Sequence, residues 1–235
     1  MRIAICEDDI IFQEELRQKI EKYYASLDVL ISTYSSGEDL LKAMDHRNPA
    51  FDLIFMDIEM PGLDGLETSR IIHARWNDVP VIILTSHIDL AMEGYEVNAF
   101  RFLEKPIRQD KFQKALTAVY KRRMDETKIM VTDNGRNVLL SCREVMWLAS
   151  ENIYIRVMTT NGSYLIREKL KDRIAKLPKD PFFQIHRSYV VNLSYVHSFD
   201  NREVIMTNGS HLPVSRNRFQ AFKTAMFHFI HLTLS

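Results

Sequence analysis

Two hydrophobic patterns alternate in the first half of the chain. Short, nearly continuous apolar runs, typical of strands covered on both faces, occur at residues 2–6, 29–35, 51–57, 79–86 and 99–105. Between these runs apolar residues recur at helical spacing, as Phe12, Leu16 and Ile20 do. The pattern predicts a doubly wound α/β fold built on a five-stranded parallel sheet.

The second half of the chain shows a different pattern. Its β-rich runs are separated by turn signals at residues 133–135 and 160–162, which is typical of successive hairpins. A short helical pattern at residues 170–177 and a longer one near the end of the chain interrupt them. We therefore expect a mostly β domain after the α/β domain.

Polar residues follow four of the predicted parallel strands at their carboxyl ends. Asp8 and Asp9 follow the first strand, Asp57 ends the third, Thr85 ends the fourth and Lys105 ends the fifth. These ends meet at one edge of a parallel sheet, so the residues are expected in one crevice. Clustered carboxylates form a hard oxygen site that suits Mg²⁺.

The predicted site favours phosphoryl chemistry. A bound cation would keep Asp57 ionised and able to attack phosphorus, while Thr85 and Lys105 could contact phosphoryl oxygens. Glu7, the residue before the two aspartates, is interpreted as a solvated charge at the strand end. The structural alternative is that Asp57 only begins a turn or caps the next helix.

Several motifs, taken in order, resemble the receiver domain of two-component response regulators. They are EDD at 7–9, MDIEMPGLDG at 56–65, Thr85 and KP at 105–106, and the resemblance covers residues 1–124. It implies a flavodoxin-like fold whose phosphoacceptor is Asp57. It also implies a cis peptide bond before Pro106.

The resemblance further assigns roles around Asp57. Mg²⁺ would be held by Asp8, Asp9, Asp57 and the main-chain carbonyl of Glu59. Thr85 and Lys105 would be the partners of the phosphoryl group. Thr85 and Phe102 would form the switch that conveys phosphorylation, as the positions of these residues in the motifs imply. The interval between Thr85 and Lys105 is short for the family. The length and orientation of the helix expected between them therefore stay open.

Charge divides the chain in the same way as the patterns do. Residues 1–128 carry 17 Lys and Arg against 23 Asp and Glu, and residues 129–235 carry 14 against 8. The charge-dense stretch at 121–128 suggests domains at 1–124 and 129–235 joined by a linker at 125–128. Two cysteines predict no disulfide framework, and the absence of a signal peptide or a long apolar run favours the cytoplasm with no membrane partner.

Two motifs in the second half resemble the LytTR-type DNA-binding domain. They are FFQIHRSYVVNLSYV and GSHLPVSRNRF, and the resemblance covers residues 129–235. It implies that Arg187 and Arg216 reach base edges or phosphates, with Asn152 and Tyr154 as a third contact region. His186 and Arg218 are expected either at phosphates or on the solvated surface.

Together the two resemblances imply a regulator rather than an enzyme. A sensor histidine kinase would phosphorylate Asp57, and the protein would then bind double-stranded promoter DNA as a homodimer that pairs through residues 88–122. A Mg²⁺-dependent phosphohydrolase with Asp57 as nucleophile and Glu59 as acid or base stays open as an alternative. So does an output domain that binds protein or RNA.

Overall fold

The computed structural model describes residues 1–24, 29–47, 51–87, 99–133, 135–178 and 181–233. The chain forms two compact units, Met1–Val119 and Tyr120–Ser235. Within the described ranges, no helix combines the length and the apolar composition that crossing a membrane requires.

The first unit has the predicted α/β fold. Its strands are β1 (Arg2–Cys6), β2 (Leu30–Tyr34), β3 (Leu53–Asp57), β4 (Val81–Thr85) and β5 (Arg101–Glu104). Its helices are α1 (Ile10–Tyr23), α2 (Gly37–Arg47), α3 (Gly65–Arg75) and the first part of α4 (Gln109–Glu126), whose residues from Tyr120 onward belong to the second unit. All strand pairs are parallel, in the order β2-β1-β3-β4-β5. The helix expected between β4 and β5 falls on residues 88–98, which lie outside the described residues.

Continuous apolar runs account for the central strands. Every residue of β3 and β4 is buried, because helices cover both faces of the sheet. On one face, Phe55 of β3 stacks on Phe112 of α4, with ring centroids 6.1 Å apart. Asp57 therefore ends a strand that is fixed on both faces.

The predicted linker is mostly regular structure. Asp125 and Glu126 are the last residues of α4, and Lys128 begins the next strand, so Thr127 alone lies between the two elements. A pair between Arg122 and Glu126 at 2.6 Å supports the helix at i, i+4 spacing. The charge-dense stretch thus coincides with the end of a helix, and the division between the compact units falls at Tyr120.

The second unit is mostly β, as predicted. Its strands are β6 (Lys128–Asp133), β7 (Arg136–Ser141), β8 (Val145–Glu151), β9 (Tyr154–Thr159), β10 (Gly162–Ile166), β11 (Phe182–His186), β12 (Tyr189–Asn192), β13 (Val196–Phe199), β14 (Glu203–Met206) and β15 (His211–Pro213). Its helices are α5 (Leu170–Ile174) and α6 (Arg216–Thr233). Residue 134, in the middle of the predicted turn at 133–135, lies outside the described residues.

Among the described residues of this unit, antiparallel pairing builds three sheets. The largest has the order β10-β9-β8-β12-β11, and smaller sheets contain β13-β14-β15 and β6-β7. Helix α6 covers the core through Phe222, Met226 and Phe229. Buried Asn192 donates from Nδ2 to the main-chain oxygen of Val145 at 2.8 Å, which joins β12 to the start of β8.

Candidate functional site

Three carboxylates meet at the carboxyl ends of β1 and β3. Glu7 and Asp8 follow β1, Asp57 ends β3, and each supplies an oxygen within 4.8 Å of the others. The register that pairs Cys6 with Met56 brings the ends of these neighbouring strands together. Glu7 and Asp57 are buried, while Asp8 is exposed. The geometry fits the oxygen-rich cation site that the sequence predicts.

The residues after β1 that lie near Asp57 are Glu7 and Asp8, whereas the sequence predicts Asp8 and Asp9. Asp9 caps α1, because its Oδ1 accepts hydrogen bonds from the main-chain nitrogens of Ile11 at 2.8 Å and Phe12 at 3.3 Å. Glu7 is not a solvated charge, since it is only 1% exposed. Its main-chain nitrogen donates to Tyr34 at 2.9 Å, which continues the β1–β2 pairing and keeps Glu7 at the inner end of the sheet.

Lys105 contacts two members of the acidic cluster. Its Nζ lies 2.8 Å from Asp57 Oδ1 and 2.7 Å from Glu7 Oε2. The ammonium also lies 4.4 Å from the ring centre of Phe12. The peptide bond between Lys105 and Pro106 is cis, which confirms the expectation from the resemblance. Lys105, the residue after β5, thus places its ammonium group against two buried carboxylates.

Burial determines the protonation of the cluster. It raises the pKa of Glu7 to about 7 and also raises the pKa of Asp57, although hydrogen bonds from Lys105 oppose both shifts. Burial would lower the pKa of Lys105, but its contacts with Asp57 and Glu7 outweigh this and raise it. Additional positive charge at this position would stabilise the ionised carboxylates.

Thr85 ends β4 and Glu59 lies in the loop that follows β3. The buried Thr85 hydroxyl donates to the main-chain oxygen of His87 at 3.0 Å and accepts from its nitrogen at 2.9 Å. The exposed Glu59 carboxylate lies 3.4 Å from His87 Nε2. Phe102 of β5 is half-buried against the core under the site. The roles assigned to these three residues stay predictions.

Gly65 is a residue that sequence reasoning missed. A Cβ atom at this position would lie 1.8 Å from the main-chain oxygen of Asp57. Its nitrogen donates to the main-chain oxygen of Ile58 at 3.0 Å, which closes the loop between β3 and α3. The signal was available in the glycine that ends MDIEMPGLDG, because a close backbone approach requires a residue without a side chain.

A second set of predicted residues gathers at one end of the large antiparallel sheet. Tyr189 pairs with Ala149, and the nitrogen of Ser150 donates to Ser188 at 2.9 Å. The β8–β9 turn and the β11–β12 turn therefore lie side by side. The nitrogen of Ser215 donates to Ile185 at 2.9 Å, which brings the start of α6 to the same region.

The exposed members of this set are Asn152, Tyr154, Arg187 and Arg216. Asn152 has a φ of 53°, a conformation that asparagine tolerates in tight turns. His186 is half-buried, and its Nδ1 accepts from the nitrogen of Ser188 at 3.1 Å. We call these five residues the turn cluster; their DNA contacts are predictions.

Arg218 makes a hydrogen bond within the fold, and its phosphate contact stays a prediction. It is half-buried, and its Nη1 donates to the main-chain oxygen of Gln184 at 3.0 Å. Because α6 packs against β11, the side chain is drawn across that contact rather than into solvent. Its geometry indicates a contribution to the fold.

Family models match both units of the chain. The response regulator receiver domain matches residues 3–117, and the LytTr DNA-binding domain matches residues 135–227.

Related proteins align with this chain along nearly their whole length. The sensory transduction protein LytT of Bacillus subtilis (strain 168) is 22% identical over 240 aligned positions, which cover 95% of this chain and 98% of that protein. The transcriptional regulatory protein YpdB of Escherichia coli (strain K12) is 26% identical over 246 positions, covering 96% and 99%. A solved structure of the response regulator TrrA from Thermotoga maritima, in complex with Mg²⁺ and BeF, is 26% identical with a TM-score of 0.45, covering 50% of this chain and 97% of that one. The chain therefore belongs to the two-component response regulators in which a receiver domain precedes a LytTR DNA-binding domain.

Proposed function

We propose that this protein is a transcription regulator that a sensor histidine kinase switches on by phosphorylating Asp57. The observation that carries the proposal is the placement of the Asp57 carboxylate, which ends a buried strand and contacts both a lysine and an acidic cluster. A buried carboxylate with a positively charged neighbour is a suitable acceptor for a phosphoryl group.

Mg²⁺ fits the residues present. Three carboxylate oxygens within 4.8 Å form the hard donor set that this ion prefers. We propose Glu7, Asp8 and Asp57 as its side-chain ligands, with the main-chain carbonyl of Glu59 as the fourth protein ligand. When bound, the ion would neutralise charge on the transferring phosphoryl oxygens.

The chain's own groups supply the remaining chemistry. A carboxylate oxygen of Asp57 attacks phosphorus, and the bond from phosphorus to the kinase imidazole breaks, so that the imidazole leaves. Lys105 already contacts Asp57, and it would pair with a phosphoryl oxygen after transfer. Thr85 would turn its hydroxyl from His87 towards the new group, and Phe102 would follow it inward. The protein thus modifies itself rather than turning over a substrate.

For the output unit we propose sequence-specific binding to promoter DNA. The excess of basic residues in 129–235 favours a polyanionic partner. Arg187 and Arg216 are exposed members of the turn cluster, and a guanidinium can donate two hydrogen bonds to guanine. Access to both a kinase and promoter DNA requires a cytoplasmic location.

Phosphorylation is proposed to act through dimerisation. A phosphoryl group adds a charge of about −1.5 to −2 at Asp57, which can reshape the neighbouring receiver surface. Pairing through residues 88–122 would bring two output units together and raise their effective concentration on DNA. Residues 88–98 of that surface lie outside the described residues.

Intact-mass analysis tests the phosphoacceptor. The wild-type chain should gain one phosphoryl group with acetyl phosphate and Mg²⁺, and Asp57→Asn should gain none, because an amide is a poor nucleophile. Asp78→Asn, at an exposed aspartate of the same unit, is the matched control and should behave as wild type. Uptake by Asp57→Asn at the wild-type level contradicts the assignment, and steady release of phosphate from a phosphomonoester would favour the phosphohydrolase instead.

Duplex binding and self-association test the output. Sedimentation velocity with beryllofluoride and Mg²⁺ should show a shift from monomer to dimer, and promoter-length duplexes should bind more tightly than single strands or RNA. A chain that stays monomeric in both states, on and off DNA, would show that phosphorylation acts in another way.

A further inference from the structure

Ile153 is an exposed apolar residue in the middle of the proposed DNA-binding surface. It lies between Asn152 and Tyr154 in the turn that joins β8 to β9, and 59% of it is exposed. Tight turns favour glycine, asparagine and aspartate, and a β-branched apolar residue has no local structural advantage there. Its side chain is therefore available for a contact outside the chain.

The hairpin that carries Ile153 is held firmly at its base. Arg156 Nη2 donates to Glu151 Oε2 at 2.9 Å across the two strands, and its Nε donates to the other oxygen of that carboxylate. Ile155, the second residue of β9, is fully buried. A turn fixed in this way loses little conformational entropy when it binds, so even a small apolar contact at its tip can contribute to affinity.

The neighbours of Ile153 indicate which partner it meets. The β8–β9 turn lies beside the β11–β12 turn that carries Arg187, through the hydrogen bond from Ser150 to Ser188. The start of α6, with Arg216, adjoins the same region through Ser215 and Ile185. An apolar tip among polar and basic side chains matches the major groove, where the C5 methyl group of thymine is the apolar feature of the base edges.

We infer that Ile153 packs against the methyl group of a thymine and thereby selects a T·A pair at one position of the DNA site. This inference rests on the proposed DNA-binding function and adds a specificity determinant to it. The asparagine and tyrosine on either side would contact polar groups of the same segment of DNA.

The experiment uses the full chain and a duplex selected by that chain from a random-sequence library, in the presence of acetyl phosphate and Mg²⁺. Each thymine of the selected duplex is replaced in turn by deoxyuridine, which lacks only the methyl group. Removing one buried methyl should weaken binding about fourfold, equivalent to about 0.8 kcal/mol, at the position that Ile153 reads. Fluorescence anisotropy measures each affinity.

Two variants identify the side chain responsible. Ile153→Ala should bind the thymine and deoxyuridine duplexes with equal affinity at that position, because the group that contacts the methyl is gone. Leu139→Ala removes an exposed apolar side chain from β7, in another sheet, and should keep the wild-type preference.

Two results would overturn the inference while leaving DNA binding intact: no thymine whose methyl affects affinity, or the same methyl preference in Ile153→Ala as in wild type. Failure to select any duplex from the library would instead contradict the proposed function, and the inference with it.

Discussion

Replacing Lys105 with methionine removes a cation from between two buried carboxylates. Its Nζ lies 2.7 Å from Glu7 Oε2 and 2.8 Å from Asp57 Oδ1, and both carboxylates are at most 5% exposed. Removing one partner of a buried ion pair costs about 3–5 kcal/mol. The lysine side chain is 16% exposed and Glu7 can take up a proton, so we expect a loss of about 2–4 kcal/mol near neutral pH.

The loss should depend on pH in a defined direction. Burial raises the pKa of Glu7 to about 7 and also raises that of Asp57, so both groups bind protons more readily in the folded chain than in the unfolded chain. Without Lys105 their ionised forms are uncompensated, so the destabilisation is greatest at high pH, where both carboxylates are ionised. Lys105 lowers the pKa of Glu7 in the wild type, so in the variant Glu7 takes up a proton at a higher pH, and the variant should approach wild type as the pH falls.

Hydrogen exchange in urea measures the effect in the unit that contains the site. Exchange of amides in β1 and β3, followed by mass spectrometry without divalent cations, gives the free energy of unfolding of that unit. Lys111→Met, at an exposed lysine of α4, is the matched control and should change this free energy by less than about 0.5 kcal/mol. Added Mg²⁺ should restore part of the stability of Lys105→Met above pH 7, since it supplies positive charge to the same carboxylates.

Two results would refute this reasoning. If Lys105→Met is no less stable than Lys111→Met, the contacts of Lys105 with the acidic cluster do not hold the site together. If the loss is the same at about pH 5.5 and about pH 8, the cost does not come from ionised carboxylates.

Three further predictions concern single residues. Gly65→Ala places a Cβ atom 1.8 Å from the main-chain oxygen of Asp57, so β3 or α3 must shift, and we expect a loss of at least about 2 kcal/mol in urea unfolding and slower phosphoryl uptake in the mass assay. Arg216→Ala should cost about 1–3 kcal/mol in binding to a selected duplex with little change in thermal stability. Arg218→Ala should lower thermal stability, because it removes the hydrogen bond to Gln184; equal effects of the two arginine variants on both measurements would contradict the distinction.

The receiver fold could be predicted from sequence because its strands are recognisable locally. Fully buried parallel strands consist almost entirely of apolar residues, so β3 and β4 stand out, and the polar residue after each one marks the carboxyl edge. The rule that sites lie at this edge then correctly placed Asp57 with Lys105. The order of the motifs along the chain indicated the family to which the protein belongs.

Side-chain direction and tertiary hydrogen bonds could not be predicted in this way. Arg218 looked like a surface residue because nothing in the sequence shows that α6 crosses β11, where the carbonyl of Gln184 accepts its hydrogen bond. The importance of Gly65 likewise depends on how closely α3 approaches the end of β3. The convergence of the two turns and α6 follows from strand register, which the sequence alone leaves open.

The choice between Glu7 and Asp9 shows the same limit in the cation site itself. Three consecutive acidic residues follow β1, and only the fold decides which of them face Asp57. Glu7 and Asp8 do so, whereas the carboxylate of Asp9 is held at the start of α1 by two main-chain nitrogens. A substitution that preserves the helix cap can therefore separate the two roles.

Asparagine caps helices about as well as aspartate does, so Asp9→Asn keeps the hydrogen bonds to α1 while removing the negative charge. If Glu7 and Asp8 are the ligands, Asp9→Asn should bind Mg²⁺ and accept a phosphoryl group nearly as wild type does. Glu7→Gln should weaken Mg²⁺ binding, because a neutral amide replaces a carboxylate that lies within 4.8 Å of Asp8 and Asp57. Isothermal titration with Mg²⁺, together with the mass assay, measures both effects. If Asp9→Asn loses more Mg²⁺ affinity than Glu7→Gln does, the ligands after β1 are Asp8 and Asp9, as the sequence first suggested.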